Sequence, residues 1–172
     1  MLSISPRLVT SLLPSIISGS VVVILDQIIK HWVESLLSTE PEPFLWILNP
    51  FLKLRLVYND GLIFGIFSDL DRPWIMTILV LVAISVLSLL YTQQLNAPTT
   101  ATKLTFGITL GGALGNLVDR LRLGYVVDYM DLGWWPVFNL ADAAINVSMV
   151  LFLFLLMTGR LEKPSTTHPP SA

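Results

Sequence analysis

Four long apolar stretches, at residues 13–32, 74–91, 104–123 and 137–157, alternate with polar or turn-rich connections along the chain. A helix needs about 20 mostly apolar residues to cross a hydrocarbon core about 30 Å thick. The pattern therefore predicts four membrane-spanning helices. The first stretch is too long for the apolar part of a secretory signal, contains Asp26 and Lys30, and is followed by no small-x-small cleavage site. It reads as a retained helix. Four crossings put both termini on one side. Arg7, Lys103, Arg160 and Lys163 flank one face, and Lys53, Arg55 and Arg72 the other, so charge counting leaves the orientation open.

Between the first two stretches the period changes. After the breaker cluster Pro41-Glu42-Pro43, Leu52, Leu54 and Leu56 alternate with Lys53 and Arg55, which predicts a half-exposed strand. Asn59-Asp60-Gly61 supplies turn chemistry, and residues 62–67 are expected to form the return strand. A small sheet at the membrane surface, within the loop at about 40–72, follows from this. Residues 93–102 and 124–136 read as short connections, the second carrying Trp134 and Trp135, a pair expected at the membrane–water boundary. The expected organisation is one domain over residues 1–160 and a Pro/Ser/Thr-rich disordered tail over 161–172.

Composition narrows the chemistry. Of 172 residues, 53% are hydrophobic and 13% charged, against about 25% charged in soluble domains. A net charge of −2 offers no basic face for nucleic acid. Cysteine is absent, which excludes disulfides, thiolate ligands and a Cys nucleophile. The two histidines are His31 and His168, the latter in the tail. No metal site is expected, because a catalytic zinc usually draws on two or three His.

Ionisable groups inside a span cost roughly 2.5–3.5 kcal/mol on insertion scales, so each needs a reason. Asp26 and Lys30 are four apart on one helix face and read as an internal ion pair of structural use. In the third stretch Gly107, Gly111 and Gly115 form a small-xxx-small stripe that admits a close helix neighbour. Asn116, Asp119 and Arg120 follow at i, i+3 and i+4. Asp119 and Arg120 read as a packing and anchoring network, whereas Asn116 suits either packing or donation into a site. In the fourth stretch Asn139, Asp142 and Asn146 share a face among apolar neighbours, with Asp142 expected one to two turns inside the span.

A buried Asp seeks a partner, and none lies near Asp142 on its own helix. Asp128, at the end of the third stretch in Val126-Val127-Asp128-Tyr129, is carried back by the Gly133-Trp134-Trp135-Pro136 turn to the same end of the bundle. Asp131 is expected to be solvated in the loop. Two carboxylates about 3 Å apart share one proton. The ionised member then activates a water and the protonated member polarises a carbonyl. Asp128 and Asp142 are therefore the candidate catalytic pair of a membrane aspartic protease, with no cofactor required. A Ser-His or Ser-Lys mechanism finds no suitably placed partner, since Lys30 and His31 lie on the first stretch beside Asp26, and the chain has no Gly-x-Ser-x-Gly elbow.

Five blocks carry a further likeness: Asp26-Gln27-Ile28-Ile29-Lys30, Asn59-Asp60-Gly61, Gly111 to Arg120, Val126-Val127-Asp128-Tyr129, and Phe138-Asn139-Leu140-Ala141-Asp142. Together, in order and over nearly the whole chain, they resemble the bacterial lipoprotein signal peptidase family, signal peptidase II. The resemblance implies an endopeptidase that removes the signal peptide of diacylglyceryl-modified prolipoproteins on the N-terminal side of the lipidated Cys. Asp128 and Asp142 match the family's catalytic aspartates. Asn116, Arg120 and Asn139 match polar residues of its pocket, and Asn59 and Gly61 fall in its surface-loop motif. It further implies a β-cradle between helices 1 and 2 that embraces the substrate, and sensitivity to cyclic peptides such as globomycin. The expected setting is the bacterial inner membrane, with both termini cytoplasmic, the dyad near the outer face, lipid and prolipoprotein as partners, and a monomeric enzyme. Leu62-Ile63 depart from the family's usual small residues and bear on pocket width and inhibitor fit.

The main alternative is a small proton-coupled transporter, because carriers also use intramembrane carboxylates. Such carriers often show internal symmetry, and none is visible here. A purely structural four-helix scaffold would leave Asp142 in an apolar helix without a reason.

Overall fold

The computed structural model describes residues 6–38, 44–60, 73–94 and 97–162. They form seven elements: α1 (Pro6–Leu37), β1 (Phe44–Leu48), β2 (Leu52–Asn59), α2 (Pro73–Gln94), α3 (Thr100–Leu123), β3 (Val126–Asp131) and α4 (Leu140–Met157). The helices coincide with the four apolar stretches. Two of them, Leu12–Leu37 within α1 and Leu140–Met157, are apolar and long enough to cross a membrane, and Ile78–Leu89 of α2 is a shorter apolar run. In α3, Asp119, Arg120 and Arg122 interrupt the apolar character.

α3 is the central helix and packs against α1, α4 and α2. Its glycines make this possible. A Cβ on Gly111 would stand 2.5 Å from the Gly19 carbonyl oxygen of α1, and one on Gly112 would stand 2.5 Å from the Ala141 carbonyl oxygen of α4. A Cβ on Gly107 would collide with Ser15 and Ser18. The stripe seen in the sequence is thus where backbones meet, Gly111 on the α1 side and Gly112 on the α4 side. Hydroxyls add rungs: Ser15 donates to the Lys103 carbonyl at 2.8 Å, and Thr109 and Ser148 share a bond of 2.8 Å.

The sheet is antiparallel in the order β1-β2-β3. The alternating leucines do form a strand, β2, with Leu54 buried against Val33 and Leu37 of α1 and Tyr129 of β3. The expected return strand at 62–67 lies outside the described residues, as do Gly61, Leu62 and Ile63. The partners of β2 among the described residues are β1, before it, and β3, from the connection between α3 and α4. The cradle is therefore not confined to the segment between helices 1 and 2, and residues 124–136 are more than a short connection. Gly124, with φ of 87°, caps α3 in the left-handed region and turns the chain. The β-branched pair Val126-Val127 then continues as strand.

Two further expectations change. Asp131 is buried at 5% exposure and ion-paired with Arg55 at 2.9 Å and Lys53 at 3.4 Å across the β2–β3 ladder. Burial alone would raise its pKa, but the Gly133 N–H and the two cations outweigh that and hold the carboxyl below the ordinary value. Beyond α4, Leu161 accepts from the Thr99 N–H and the Thr102 hydroxyl, and Glu162 bridges to Pro98, so order reaches past residue 160.

Gly111→Val is expected to cost about 1–3 kcal/mol, the range for overpacking a close contact, because the obstacle is backbone. Val147→Leu on the exposed face of α4 is expected to stay within about 0.5 kcal/mol. Thermal unfolding of the detergent-solubilised protein compares the two.

Candidate active site

Three backbone devices bring the polar residues together. Asn139 is the N-cap of α4 and accepts from the Asp142 N–H at 2.9 Å, while its own N–H donates to Asp142 Oδ2 at 3.2 Å. This reciprocal capping box places Asp142 in the first turn of the helix. That is shallower than the one to two turns expected, because Val137 and Phe138 are not helical and Phe138 instead bridges to Met130. Asp128 sits in β3 and pairs with Val57 of β2. Asn59, at the end of β2, reaches across to it.

The side chains form one continuous network. Asn59 Nδ2 donates to Asp128 Oδ2 at 2.9 Å, and Asn139 Nδ2 donates to Asp128 Oδ1 at 2.7 Å. Asn139 Nδ2 also donates to Asn116 Oδ1 at 3.0 Å, and Asn116 Nδ2 donates to Asp142 Oδ1 at 2.7 Å. The two carboxylates are thus spanned by Asn139 and Asn116, and each repels the other's charge closely enough to matter at Asp128. Asp128 is 1% exposed and Asn139 wholly buried, whereas Asp142 keeps a partly open side. Burial, reinforced by Asp142, pushes the Asp128 carboxyl up to about 6, against the opposing pull of the Asn59 and Asn139 donors. Arg120 lies within electrostatic reach of Asp142, Asp128 and Asp119.

Beneath this lies a buried ionic cluster. Lys30 Nζ is 2.8 Å from both Asp26 Oδ2 and Asp119 Oδ2 and donates to Asn116 Oδ1 at 3.0 Å. The Asp26–Lys30 pair expected from spacing is present, and Asp119, read with Arg120, joins it as a third member. Gln27 donates to Asp119 Oδ1 at 2.8 Å, a contact that the sequence reading did not assign. Its adjacency to Asp26 was the available signal. Asn146 does not join the site, as its side chain is exposed and donates to the Asp142 carbonyl. Among the described residues, no group of His, Cys, Asp or Glu is arranged to hold a metal ion.

A family model described as signal peptidase (SPase) II matches residues 19–158. The chain belongs to the signal peptidase II family. The lipoprotein signal peptidase of Syntrophomonas wolfei is 42% identical over 143 residues, covering 83% of this chain and 92% of the relative. That of Moorella thermoacetica is 36% identical, covering 84% and 93%. A solved bacterial membrane enzyme, determined by the in meso method, matches with a TM-score of 0.69 at 26% identity, covering 88% of this chain and 94% of that one. The family match spans α1 through α4, and with it every polar residue of the network described above.

Asn139→Ala removes the cap of α4 and leaves Asp128 and Asn116 short of a donor. A lost cap costs about 0.5–2 kcal/mol, and an unsatisfied buried group about 1–3 kcal/mol more. Asn139→Ala is expected to lower the melting temperature accordingly, whereas Asn146→Ala leaves it within a degree or two. Parallel melts in one detergent decide this.

Proposed function

We propose that this chain is the aspartic endopeptidase that cleaves signal peptides from diacylglyceryl-modified prolipoproteins, with Asp128 and Asp142 as its catalytic pair. The observation that carries the reading is the Asn139–Asn116 bridge between the two carboxylates. It holds groups from a strand and a helix at one end of the bundle. The transporter alternative is set aside, since the family model and the named relatives are peptidases.

In this mechanism the pair holds one proton. The ionised carboxylate removes a proton from a bound water, whose oxygen attacks the scissile carbonyl carbon. The protonated partner hydrogen-bonds the carbonyl oxygen and transfers its proton as negative charge develops there. Collapse of the tetrahedral intermediate breaks the C–N bond. The departing amine takes a proton from the carboxyl that received one from water, and one hydroxyl of the intermediate returns its proton to the other carboxylate, restoring the singly protonated pair. The donors Asn59, Asn139 and Asn116 fix the carboxylates' orientations, so little reorganisation is needed. Arg120 places a positive charge beside the pair and steadies its net negative state.

The membrane setting is supported by an inside-out distribution of polarity. Asp26, Asn139, Thr102 and Ser148 are buried, while Ile28, Val147 and Val150 are more than half exposed. We read all four helices as membrane-crossing in the bacterial inner membrane. The termini would be cytoplasmic and the dyad near the outer face, with the protein acting as a monomer. Trp134, in the turn between β3 and α4, is 78% exposed, as suits an interfacial aromatic. The sheet would then receive the extended substrate at the lipid boundary.

Asp128→Asn and Asp142→Asn are each expected to insert normally and to lose activity on the order of 10²–10⁴-fold or more. A gel-shift assay on a lipidated precursor measures this. Omitting the diacylglyceryl group should abolish cleavage by the unaltered enzyme; equal processing would remove the lipid requirement but leave the protease.

Activity should fall as pH drops through about 6, where Asp128 gains its proton. Because Asn59 favours the ionised form, Asn59→Ala should move this acid limb to higher pH. A limb that stays or moves down would contradict the assignment.

A further inference from the structure

The buried ions of α1 and α3 touch the backbone at two particular places. Asp119 Oδ2 accepts from the Val127 N–H at 3.1 Å, and Asp26 Oδ1 accepts from the Ala141 N–H at 3.0 Å. Val127 immediately precedes Asp128, and Ala141 immediately precedes Asp142. Each outer carboxylate therefore holds the amide next to one member of the catalytic pair. Lys30 stands between them at 2.8 Å from each, and its third contact, Asn116, donates directly to Asp142.

We propose that Asp26, Lys30 and Asp119 are positioning residues that set the separation and charge balance of the Asp128–Asp142 pair, beyond anchoring α1 to α3. A pair that merely stapled two helices would have no need to bond β3 and the first turn of α4 at matching positions. The two amides lie on different elements, and one lysine connects their acceptors. A shift of either element relative to the other must stretch a charge-assisted bond. The lysine charge is also felt at both catalytic carboxylates, and that of Asp26 at Asp142.

The inference rests on the dyad reading, and its test separates the two. The groups facing the pair are Asp26 and Lys30 of α1, Asn59 of β2, Asn116, Asp119 and Arg120 of α3, Tyr129 of β3, and Asn139 of α4. Lys30→Met removes the cation, so the acid limb of kcat/KM should move to higher pH. Asp26→Asn keeps an oxygen for the Ala141 N–H but removes a negative charge felt at Asp142. Because the two carboxylates share one proton and titrate together, the limb should move to lower pH.

In both variants kcat of the monodisperse fraction should fall while KM stays nearly constant. For Lys30→Met the fall is on the order of 100-fold, the scale for a misplacement of about 1 Å. Lys30→Arg should recover part of that loss. Limbs that coincide with the unaltered enzyme in both variants would overturn the proposal, as would a loss confined to the yield of folded protein. If Lys30→Met does not fold, the direction of the Asp26→Asn limb decides alone. Wild-type cleavage by Asp128→Asn or Asp142→Asn would instead overturn the dyad reading.

Discussion

Charged and amide groups withdrawn from water must find their partners within the protein, because an unpaired buried charge costs several kcal/mol. Lys30 illustrates how that constraint organises this bundle. Its ammonium group has three oxygen partners, drawn from α1 and α3. Two of those partners extend the bonding to the backbone of β3 and α4. Satisfying one cation thereby ties together four elements, and the amide-bridged carboxylates lie directly above the tie.

The close approach needed for such short bonds comes from glycine. Large side chains at Gly111 or Gly112 would hold α1 or α4 away from α3. Gly115 lies at the same level as Asp26, where a Cβ would stand 2.8 Å from the carboxylate oxygen. Packing and chemistry are consequently one problem here. The small residues that let helices meet without a hydrophobic driving force also make room for the ions.

The sheet contributes in a different way. β3 carries Asp128 between the core residues Val127 and Tyr129, and its register with β2 brings Asn59 to the carboxylate. At the far end of the same strand pair, Asp131 ties to Arg55 and Lys53. The strand is thus held by polar contacts at Asp128 and Asp131, with Tyr129 and Met130 in the apolar cluster that includes Val33 and Leu37 of α1. That fixes where the catalytic candidate stands relative to the helices.

Much of this was legible in the chain itself. Long apolar runs announced the helices, the leucine alternation announced β2, and ionisable residues in apolar company singled out Asp26, Lys30, Asp128 and Asp142. Periodicity and the cost of burying charge are local properties, so a linear pattern records them. What the tertiary structure decided were the pairings: Asp119 with Lys30, Asp131 with Arg55, and β3 as the third strand of a sheet whose other strands lie two helices earlier. These depend on which segments become neighbours when the glycine faces close. No local signal encodes that choice, because the energy gained is spread over contacts between residues far apart in sequence. Even the shallow position of Asp142 followed this rule, since Phe138 paired with Met130 and left Asn139 to begin the helix.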